Sequence, residues 1–340
     1  MKFLLTGHTG FKGSWLVLLL RTLGHQVDGV SLRPQPNSLF VKANLERLCG
    51  NSSYVDIRDK RDFQNHILRS NADVVIHLAA QSLVRESYRN PVATFETNFN
   101  GTLNLLEVLN RNHNFRSCII VTTDKVYLNT GKKEGYSERD PLGGRDPYSA
   151  SKAAADILTQ AWRASISSAS IPINIVRAGN VIGGGDWSEN RIIPDLVRSI
   201  QNREPAIIRN PQSVRPWQHV LDCLTGYLSL VHEPIADSFN GEWNFGPDLK
   251  NSISVEKMAK VFLGQFENAK PWQLDSENGP KETDYLALDS AKARATLRWQ
   301  ELLPFEKGII WTAEWYKRYL NGEDSQVISI NQIEKYLELK

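Results

Sequence analysis

Cysteine is scarce in this sequence of 340 residues, which contains three, at positions 49, 118 and 223. Their wide separation excludes a compact cysteine metal knuckle and offers no framework for disulfides. We therefore predict no bound metal. Cys118 opens the apolar run Cys118-Ile119-Ile120-Val121, so we predict that this thiol is packed in the core as a small hydrophobic group.

Long apolar runs are also lacking. No uninterrupted hydrophobic stretch approaches the ~20 residues that a transmembrane helix needs. No basic segment followed by an apolar one opens the chain, which begins Met-Lys-Phe-Leu-Leu-Thr like a buried strand. We expect a cytoplasmic protein without a membrane partner. The formal net charge of +2 is too balanced for nucleic-acid binding through bulk electrostatics, so no nucleic-acid partner is predicted.

The chain does contain an alternation of strand-like and helix-like segments. A length of 340 residues suggests about two domains, and a hydrophobic content of 41% allows a sizeable core. Strands that are apolar along their whole length are typical of a parallel sheet with helices on both faces. We therefore predict an α/β fold with a doubly wound parallel Rossmann sheet. The predicted strands are 2–6, 26–32, 72–78, 117–122 and 173–176, and the predicted helices are 11–23, 94–110 and one that begins near Tyr148.

The pattern changes after Arg177, where turns become denser and helices shorter. We predict a smaller C-terminal α/β substrate lobe that covers the open end of the sheet. Residues 218–232 look like a strand and a helix that return to the first domain. The predicted boundary is therefore discontinuous, with 1–178 plus 217–240 in the Rossmann domain and 179–216 plus 241–340 in the second lobe. The polar tail 321–340 is predicted to form a short terminal helix.

A glycine-rich loop, Gly7-His8-Thr9-Gly10-Phe11-Lys12-Gly13, joins the first predicted strand to the first predicted helix. Three glycines at this spacing allow a tight turn, close approach of backbone to phosphate, and close packing of helix on strand. The N terminus of the helix then faces the anion. A loop that only turns the chain is the alternative. The residues predicted to bind the pyrophosphate of a dinucleotide are Gly7, Thr9, Gly10, Phe11 and Gly13.

The choice between NAD and NADP depends on the end of the second strand, where NAD sites usually carry a carboxylate. Here the sequence has no carboxylate, and Arg33 is either a surface residue or a partner for a 2′-phosphate. Farther on, the carboxylate of Asp56 can accept the adenine amino group. The remaining candidates for cofactor contact are Ile57, the small-residue run Leu78, Ala79 and Ala80, and Asn98, which we interpret mainly as an asparagine that bridges backbone segments.

Tyr148 and Lys152 are four residues apart in an Ala-rich stretch after Pro147, so both side chains project from one face of a helix. A phenol titrates near pH ~10, and an adjacent cation lowers that pKa. The pair is thus predicted to supply a phenolate-like base near neutral pH. The alternative is a solvated helix with an incidental tyrosine and lysine.

Together these motifs resemble the extended short-chain dehydrogenase/reductases that act on nucleotide sugars, over nearly the whole chain. Longer strings resemble one family within that group, the CDP-glucose 4,6-dehydratases. These strings are Gly7-His8-Thr9-Gly10-Phe11-Lys12-Gly13-Ser14-Trp15, Thr123-Asp124-Lys125-Val126-Tyr127, the segment 177–187, Arg215-Pro216-Trp217-Gln218-His219-Val220 and Trp243-Asn244-Phe245-Gly246-Pro247.

The resemblance implies that Thr123, Tyr148 and Lys152 carry out an oxidation, and that Asp124 and Lys125 carry out a dehydration. It also implies a tightly held NAD that is recycled in every turnover. These dehydratases also lack a carboxylate at the end of the second strand, so NAD is the predicted cofactor. CDP-glucose is the predicted substrate, within deoxysugar and lipopolysaccharide O-antigen synthesis. A homodimer or homotetramer is expected through the paired helices 94–110 and 149–165.

A 4,6-dehydratase removes a hydride from C4, eliminates water across C5 and C6, and returns the hydride to C6. Tyr148 would take the proton of the 4-hydroxyl, and Thr123 would hydrogen-bond the reacting oxygen. Asp124 is the predicted acid for the departing 6-hydroxyl, and Lys125 the predicted C5 base. That role requires neutral Lys125, so its pKa must fall well below ~10.4. A solvated turn is the alternative for this pair.

Substrate anchoring calls for cations and hydrogen-bond donors around a diphosphate, and the planar fork of arginine binds phosphate with two hydrogen bonds. Arg177 lies at the junction of the predicted domains. His219 is interpreted as a packed structural histidine. Each candidate for substrate binding could instead be a member of a surface ion pair. The predicted substrate-binding residues are Gln81, Asn180, Arg191, Arg209 and Arg215.

Two other functions remain open. A sugar-nucleotide epimerase or 4-reductase of the same fold would keep Tyr148 and Lys152 without needing Asp124 and Lys125. A non-catalytic NAD-binding protein would be expected to lose the Thr123–Tyr148–Lys152 triad, which this sequence retains.

Overall fold

The computed structural model of the protein describes residues 1–111, 115–166, 171–231, 239–275 and 285–340. The strands in these ranges are β1 Lys2–Thr6, β2 Gln26–Ser31, β3 Asn51–Tyr54, β4 Val74–His77, β5 Ser117–Val121, β6 Ile173–Ala178, β7 Asn180–Ile182, β8 Ile207–Ile208, β9 Val214–His219, β10 Glu242–Phe245, β11 Ser252–Ser254 and β12 Gln273–Leu274. The helices are α1 Phe11–Thr22, α2 Leu39–Lys42, α3 Lys60–Arg69, α4 Val84–Arg89, α5 Pro91–Phe95, α6 Gly101–Arg111, α7 Pro147–Ser165, α8 Ile192–Asn202, α9 Val220–Leu228, α10 Val255–Leu263, α11 Ala291–Leu297, α12 Phe305–Leu320 and α13 Ser325–Leu337.

Seven parallel strands form the main sheet in the order β10-β6-β5-β4-β1-β2-β3. The predicted doubly wound Rossmann sheet is thus confirmed. The strand order reverses between β1 and β4, which are neighbours in the sheet. The loops that follow these two strands diverge to opposite faces and leave a crevice at the carboxyl edge, where open α/β sheets bind their ligands.

The core lies on both faces of this sheet because successive residues of a strand point in opposite directions. In β1, Phe3 and Leu5 belong to the apolar cluster that contains Trp15 of α1. Leu4 between them packs in the other cluster, with Phe63 of α3 and with residues of α6. Cys118 of β5 lies in this second cluster and is fully buried, as predicted.

A separate three-stranded sheet has the order β11-β9-β7, and β8 pairs with β12. Helix α12 packs on β9 and β7, and the ring of His219 lies edge-on to Trp15 and Trp311. The predicted terminal helix is present as α13, which packs on α1 and α12.

The structure differs from the sequence-based expectations in four places. Strand β3 was not predicted, because its sequence Asn-Ser-Ser-Tyr is polar, as an edge strand can be. The predicted helix 94–110 is interrupted by a π turn at Glu96–Asn100 between α5 and α6. Strand β10 pairs with β6 in the main sheet, although the predicted boundary placed residue 241 onward in the second lobe. The segment 218–232 was predicted to return to the Rossmann domain, but β9, which contains its first residues, lies in the small sheet. His232, the last residue of that segment, is outside the described residues.

Candidate active site

The glycine-rich loop follows β1 and is packed so closely that two of its glycines have no room for a side chain. Gly7 has a positive φ of +74°, and a Cβ there would lie 2.7 Å from the amide nitrogen of Ala79, after β4. At Gly13 a Cβ would lie 2.2 Å from the carbonyl oxygen of Gly7. These contacts hold the loops after β1 and β4 together at the crevice, where the sequence predicted a cofactor.

Helix α1 offers an uncapped N terminus to this crevice. Its first residue is Phe11, and the preceding Gly10 has no side chain to bind the free N–H groups of the first turn. Such a terminus carries a partial positive charge and suits a phosphate. The hydroxyl of Thr9 shares a 2.7 Å hydrogen bond with Ser31 Oγ and donates to the Leu32 carbonyl oxygen, so it anchors the loop to β2. The loop therefore fits the diphosphate of a dinucleotide.

The predicted adenine end lies beyond β2 and β3. Asp56 forms an ion pair of 2.6 Å with Arg58, whose hydrogen bonds hold the pKa of the Asp56 carboxyl below its usual range. Ile57 is buried, and a Cβ on Gly101 would meet its side chain at 2.4 Å. The guanidinium of Arg33 lies 5.1 Å from the ring centre of Tyr54. A groove of about 420 Å³ lies at this end of the site, and its lining residues are Asp56, Arg58, Asp59, Glu96 and Asn100.

Asn98 bridges two elements, as our main interpretation predicted. Its Oδ1 accepts from the backbone N–H of Gln81, and its Nδ2 donates to the Gln81 carbonyl oxygen and to Ser151 Oγ of α7. The side chain of Gln81, predicted to bind substrate, donates to the Leu83 carbonyl oxygen and to Thr94 Oγ1, and accepts from the Leu83 N–H. Both amides therefore stabilise the backbone after β4.

Helix α7 supplies the predicted tyrosine and lysine. Asp146 caps its N terminus by accepting a hydrogen bond of 3.0 Å from the Ser149 N–H, and Pro147 occupies the first position, where its missing N–H costs nothing. Tyr148, Lys152 and Asp156 are each one turn apart and all are buried, so they share the face that packs on the sheet.

The electrostatics of this pair differ from the sequence-based prediction. Burial raises the pKa of Tyr148 to about 12, and the charge of Asp124 adds to that shift, whereas a hydrogen bond with Thr123 and the charge of Arg191 oppose it. The Lys152 ammonium donates a 2.7 Å hydrogen bond to the Val121 carbonyl oxygen. Burial and the nearby charge of Lys12 lower the pKa of Lys152 to about 8. The expected lowering of the Tyr148 pKa is thus wrong for this state of the protein, because burial outweighs the cation.

The turn after β5 holds the three remaining predicted catalytic residues. Thr123 Oγ1 donates a 2.9 Å hydrogen bond to Asp124 Oδ1, and Lys125 Nζ lies 3.7 Å from the same oxygen. Asp124 is fully buried, and its Oδ2 has no hydrogen-bond partner among the described residues. A buried carboxylate oxygen without a donor is costly, so this atom is suited to receive one from a ligand. The solvated-turn alternative is wrong for Asp124.

A buried ion pair supports this turn and was missed in the sequence. Arg177 of β6 donates to both carboxylate oxygens of Asp156 at 2.8 and 2.7 Å, and it also donates to the Tyr127 hydroxyl. Thr122, beside the catalytic turn, donates to Asp156 Oδ2. Arg177 is therefore occupied inside the protein and does not face a diphosphate. The available signal was an aspartate one turn beyond Lys152 on an otherwise Ala-rich helix.

The predicted substrate residues of the second lobe lie on separate elements. Arg191 precedes α8, pairs with Asp186 at 2.9 Å and donates to Ser82 Oγ. Arg215 is buried in β9 and donates to the Val214 carbonyl oxygen. Arg209 is half-buried after β8. Asn180 in β7 has a buried Oδ1 without a partner among the described residues.

A structural histidine, the question of a metal site and the question of a membrane span complete the description of the residues that the structure covers. His219 is fully buried between aromatic rings, and burial lowers its pKa to about 3, in agreement with a structural role. The described residues contain no group of three or more His, Cys, Asp or Glu side chains that could hold a metal ion. Among them, no helix is long and apolar enough to cross a membrane.

A parallel sheet with a glycine loop after β1 and a Tyr148–Lys152 helix defines an extended short-chain dehydrogenase/reductase. Within this class, the chain belongs to the GDP-mannose 4,6 dehydratase family, whose model matches residues 4–311.

Three comparisons with individual proteins agree with this assignment. The CDP-glucose 4,6-dehydratase of Salmonella typhimurium is 40% identical over 98% of this chain and 95% of its own length. The structure of Pal from Bacillus thuringiensis superposes with a TM-score of 0.80 at 25% identity and covers 94% of this chain and 100% of its own. A dTDP-glucose 4,6-dehydratase from Bacillus anthracis in complex with NAD has the same fold, with a TM-score of 0.76 at 21% identity, covering 96% and 99% of the two chains.

Proposed function

We propose that this protein converts CDP-glucose to CDP-4-keto-6-deoxyglucose and water with a bound NAD. The observation that carries the proposal is the Thr123–Asp124–Lys125 turn, which packs against the helix that carries Tyr148 and Lys152. The relative from Salmonella typhimurium, named CDP-glucose 4,6-dehydratase, supports the choice of substrate. A place in deoxysugar and O-antigen synthesis stays a prediction.

NAD fits the crevice because the glycines at positions 7, 10 and 13 let the loop backbone approach a ligand closely and the N terminus of α1 is uncapped. The bound NAD would accept a hydride from C4 of the sugar and return it at C6. Lys152 would hold the nicotinamide ribose, and Asp56 the adenine. The contact of Arg33 with Tyr54 supports its surface interpretation, so NAD should bind more tightly than NADP and Arg33→Ala should not reverse this order.

Tyr148 removes the proton of the sugar 4-hydroxyl in this mechanism. Its raised pKa must fall for that step, and the Lys152 ammonium lowers it once it faces the phenol instead of the Val121 carbonyl. Thr123 lies close to Tyr148, and its hydroxyl would hold the same sugar oxygen. Oxidation turns C4 into a ketone, which makes the proton on C5 acidic.

Asp124 and Lys125 then eliminate water. Lys125 takes the C5 proton, the electrons of that bond form the C5–C6 double bond, and the C6–O bond breaks as Asp124 protonates the departing hydroxyl. The unpartnered Oδ2 of Asp124 is the atom we assign to this proton transfer. Lys125 would then return its proton to C5 as the hydride held by the cofactor is delivered to C6, so that the cofactor would end the cycle unchanged.

Arg191, Arg209, Arg215 and Asn180 are the residues we assign to the diphosphate and the nucleoside. Arg191 is the best supported of these, because its charge acts on the Tyr148 pKa and it therefore lies close to the reacting centre. The engagement of Gln81 with Leu83 and Thr94 favours a supporting role for that residue.

The surface formed by α4, α5 and α7 is proposed to bind a second copy of this chain. Apolar side chains recur with helical spacing on α4, α5 and the π turn at Tyr88, Val92, Phe95 and Phe99, and α5 packs on α7. Val92 is 70% exposed and Ile157 of α7 is 52% exposed. Exposed apolar stripes on adjacent helices are typical of association surfaces.

Association is tested by light scattering. Val92→Glu and Ile157→Glu should each shift the protein to a smaller particle, whereas Val327→Glu, on α13 and also 52% exposed in the wild type, should not. A wild-type monomer, or equal effects at all three positions, would contradict the proposed surface.

The activity is tested by incubation of the purified protein with CDP-, UDP- and dTDP-glucose, followed by mass analysis. Loss of one water should occur with CDP-glucose and much more weakly with the other two, without net consumption of NAD. Equal turnover of all three nucleotide sugars would contradict the assignment of CDP-glucose as the substrate. Epimerisation without loss of water would favour the epimerase alternative, which does not require the Asp124–Lys125 pair.

A further inference from the structure

Lys12 is a residue of the glycine loop to which the reaction assigns no role. It is the second residue of α1 and is half-buried, and its ammonium donates a 3.3 Å hydrogen bond to the Tyr227 hydroxyl of α9. The same ammonium lies 5.7 Å from the centre of the Tyr227 ring. Among the described residues no carboxylate forms an ion pair with it. A cation without an ion-pair partner in the described part of the chain is thus held at the start of α1.

The position of Lys12 relative to the reacting centre follows from its neighbours. Its charge acts on Lys152, and the charge of Tyr148 acts on Tyr227. The Lys12–Tyr227 contact therefore lies on the Tyr148–Lys152 side of the site. Two lysines, from α1 and α7, place positive charge at the same end of the site.

We propose that Lys12 is a positioning residue whose fixed ammonium makes the bound NAD a stronger hydride acceptor. This inference rests on the proposed function, which places the nicotinamide ring at the Lys152 end. The oxidised nicotinamide ring carries a positive charge and the reduced ring is neutral. A fixed cation nearby raises the free energy of the oxidised form alone, because Coulomb repulsion vanishes when the ring is neutral. Lys12 thereby favours removal of the hydride from the sugar.

Binding measurements separate this role from a contact with the diphosphate. NAD and NADH share the same diphosphate, so a lost phosphate contact weakens both by one factor, whereas a lost potential at the ring changes their ratio. In Lys12→Met, the Kd of NAD divided by the Kd of NADH should fall by roughly three- to tenfold, the order expected for one charge acting across a partly buried site. Calorimetry on the stripped protein measures both constants.

Three variants complete the test. Lys12→Arg keeps the charge and should retain the wild-type ratio. Tyr227→Phe removes the hydroxyl that fixes the ammonium and should move the ratio in the same direction as Lys12→Met, by a smaller factor. Lys307→Met is the matched control, because Lys307 also lies 5.7 Å from an aromatic ring centre, that of Trp311, and its loss should leave the ratio unchanged.

An unchanged ratio in Lys12→Met, or equal weakening of NAD and NADH, would overturn the proposal. If Lys12→Met does not fold, an unchanged ratio in Tyr227→Phe overturns it instead. A wild-type protein that binds neither form would overturn the proposed function and this inference together. A wild type that binds NAD and dehydrates CDP-glucose while its ratio is insensitive to Lys12 removes this inference alone.

Discussion

The Lys152 ammonium lies 2.7 Å from the carbonyl oxygen of Val121, at the end of β5, and donates its hydrogen bond there. The lysine is therefore held against the sheet, in a buried position that disfavours its charge. Burial of the Tyr148 and Lys152 side chains accounts for the difference between the simple Tyr–Lys pair that the sequence suggests and the resting electrostatics of the folded protein.

The first prediction concerns pH and stability. The pKa of Lys152 is lowered from an ordinary value of 10.5 to about 8, so between these values the unfolded chain binds a proton that the folded chain does not. Stability contributed by this site therefore rises with pH across that window. The free energy of unfolding of the wild type minus that of Lys152→Met should increase by at most about 3 kcal/mol from pH 7 to pH 10. Urea unfolding at a series of pH values measures it, and a pH-independent difference would show that Lys152 is solvated.

The second prediction separates the two half-reactions. Tyr148→Phe removes the base for oxidation, so no absorbance of reduced nicotinamide should develop after substrate is added. Lys125→Ala should leave the oxidation intact and slow the elimination by ~10² to 10⁴, the usual effect of losing a general base. It should therefore accumulate reduced nicotinamide and a 4-keto sugar that still carries its 6-hydroxyl.

The outcome for Lys125 is decisive in either direction. Near wild-type dehydration by Lys125→Ala would assign the C5 base to Asp124 or to a bound water. Failure to reduce the nicotinamide at all would mean that Lys125 positions the substrate for the first step. Exchange of the C5 proton with solvent deuterium, which should slow in this variant, measures the same step independently.

The third prediction concerns the buried pair of Asp156 and Arg177. Asp156→Asn leaves the Arg177 guanidinium buried with its charge uncompensated, and should lower the free energy of unfolding by about 3–5 kcal/mol. The double variant Asp156→Leu with Arg177→Met should cost less than the single one. A suitable control is Lys250→Gln, which breaks the exposed pair with Asp248 and should cost no more than ~1 kcal/mol. Equal losses in the two single variants would contradict the burial argument.

The fourth prediction tests the close approach in the glycine loop. Gly7→Ala introduces a Cβ 2.7 Å from the Ala79 nitrogen at a φ of +74°, and should both destabilise the protein and weaken NAD binding. Gly24 has a similar φ of +80° with nothing within 4 Å of its Cβ position. Gly24→Ala should therefore cost only the left-handed strain of roughly 1–2 kcal/mol and leave NAD affinity unchanged. Thermal unfolding and calorimetry distinguish the two, and equal losses would show that strain alone acts at Gly7.

Much of the fold could be predicted from local pattern. The apolar runs of β1, β4, β5 and α1 and the amphipathic spacing of α7 report burial directly, because each of these elements must cover its hydrophobic surface. Polar β3 carries no such signal, since it needs only backbone hydrogen bonds to β2 at the edge of the sheet. Strand β10 was missed because its parallel pairing with β6 depends on a long connection through β7, β8 and β9 that no local pattern encodes.

The sequence by itself determined the chemical inventory of the site and its family: the glycine spacing, the Tyr148–Lys152 interval and the Thr123–Asp124–Lys125 run lie within short segments that can be read directly. Only the tertiary structure decided how those groups are charged and paired. It buries Tyr148 and raises its pKa, turns Lys152 to Val121, removes Arg177 from the substrate site by pairing it with Asp156, and sets Lys12 against Tyr227. The physical reason is that desolvation and Coulomb interactions depend on distances between residues far apart in the chain, and folding alone sets those distances.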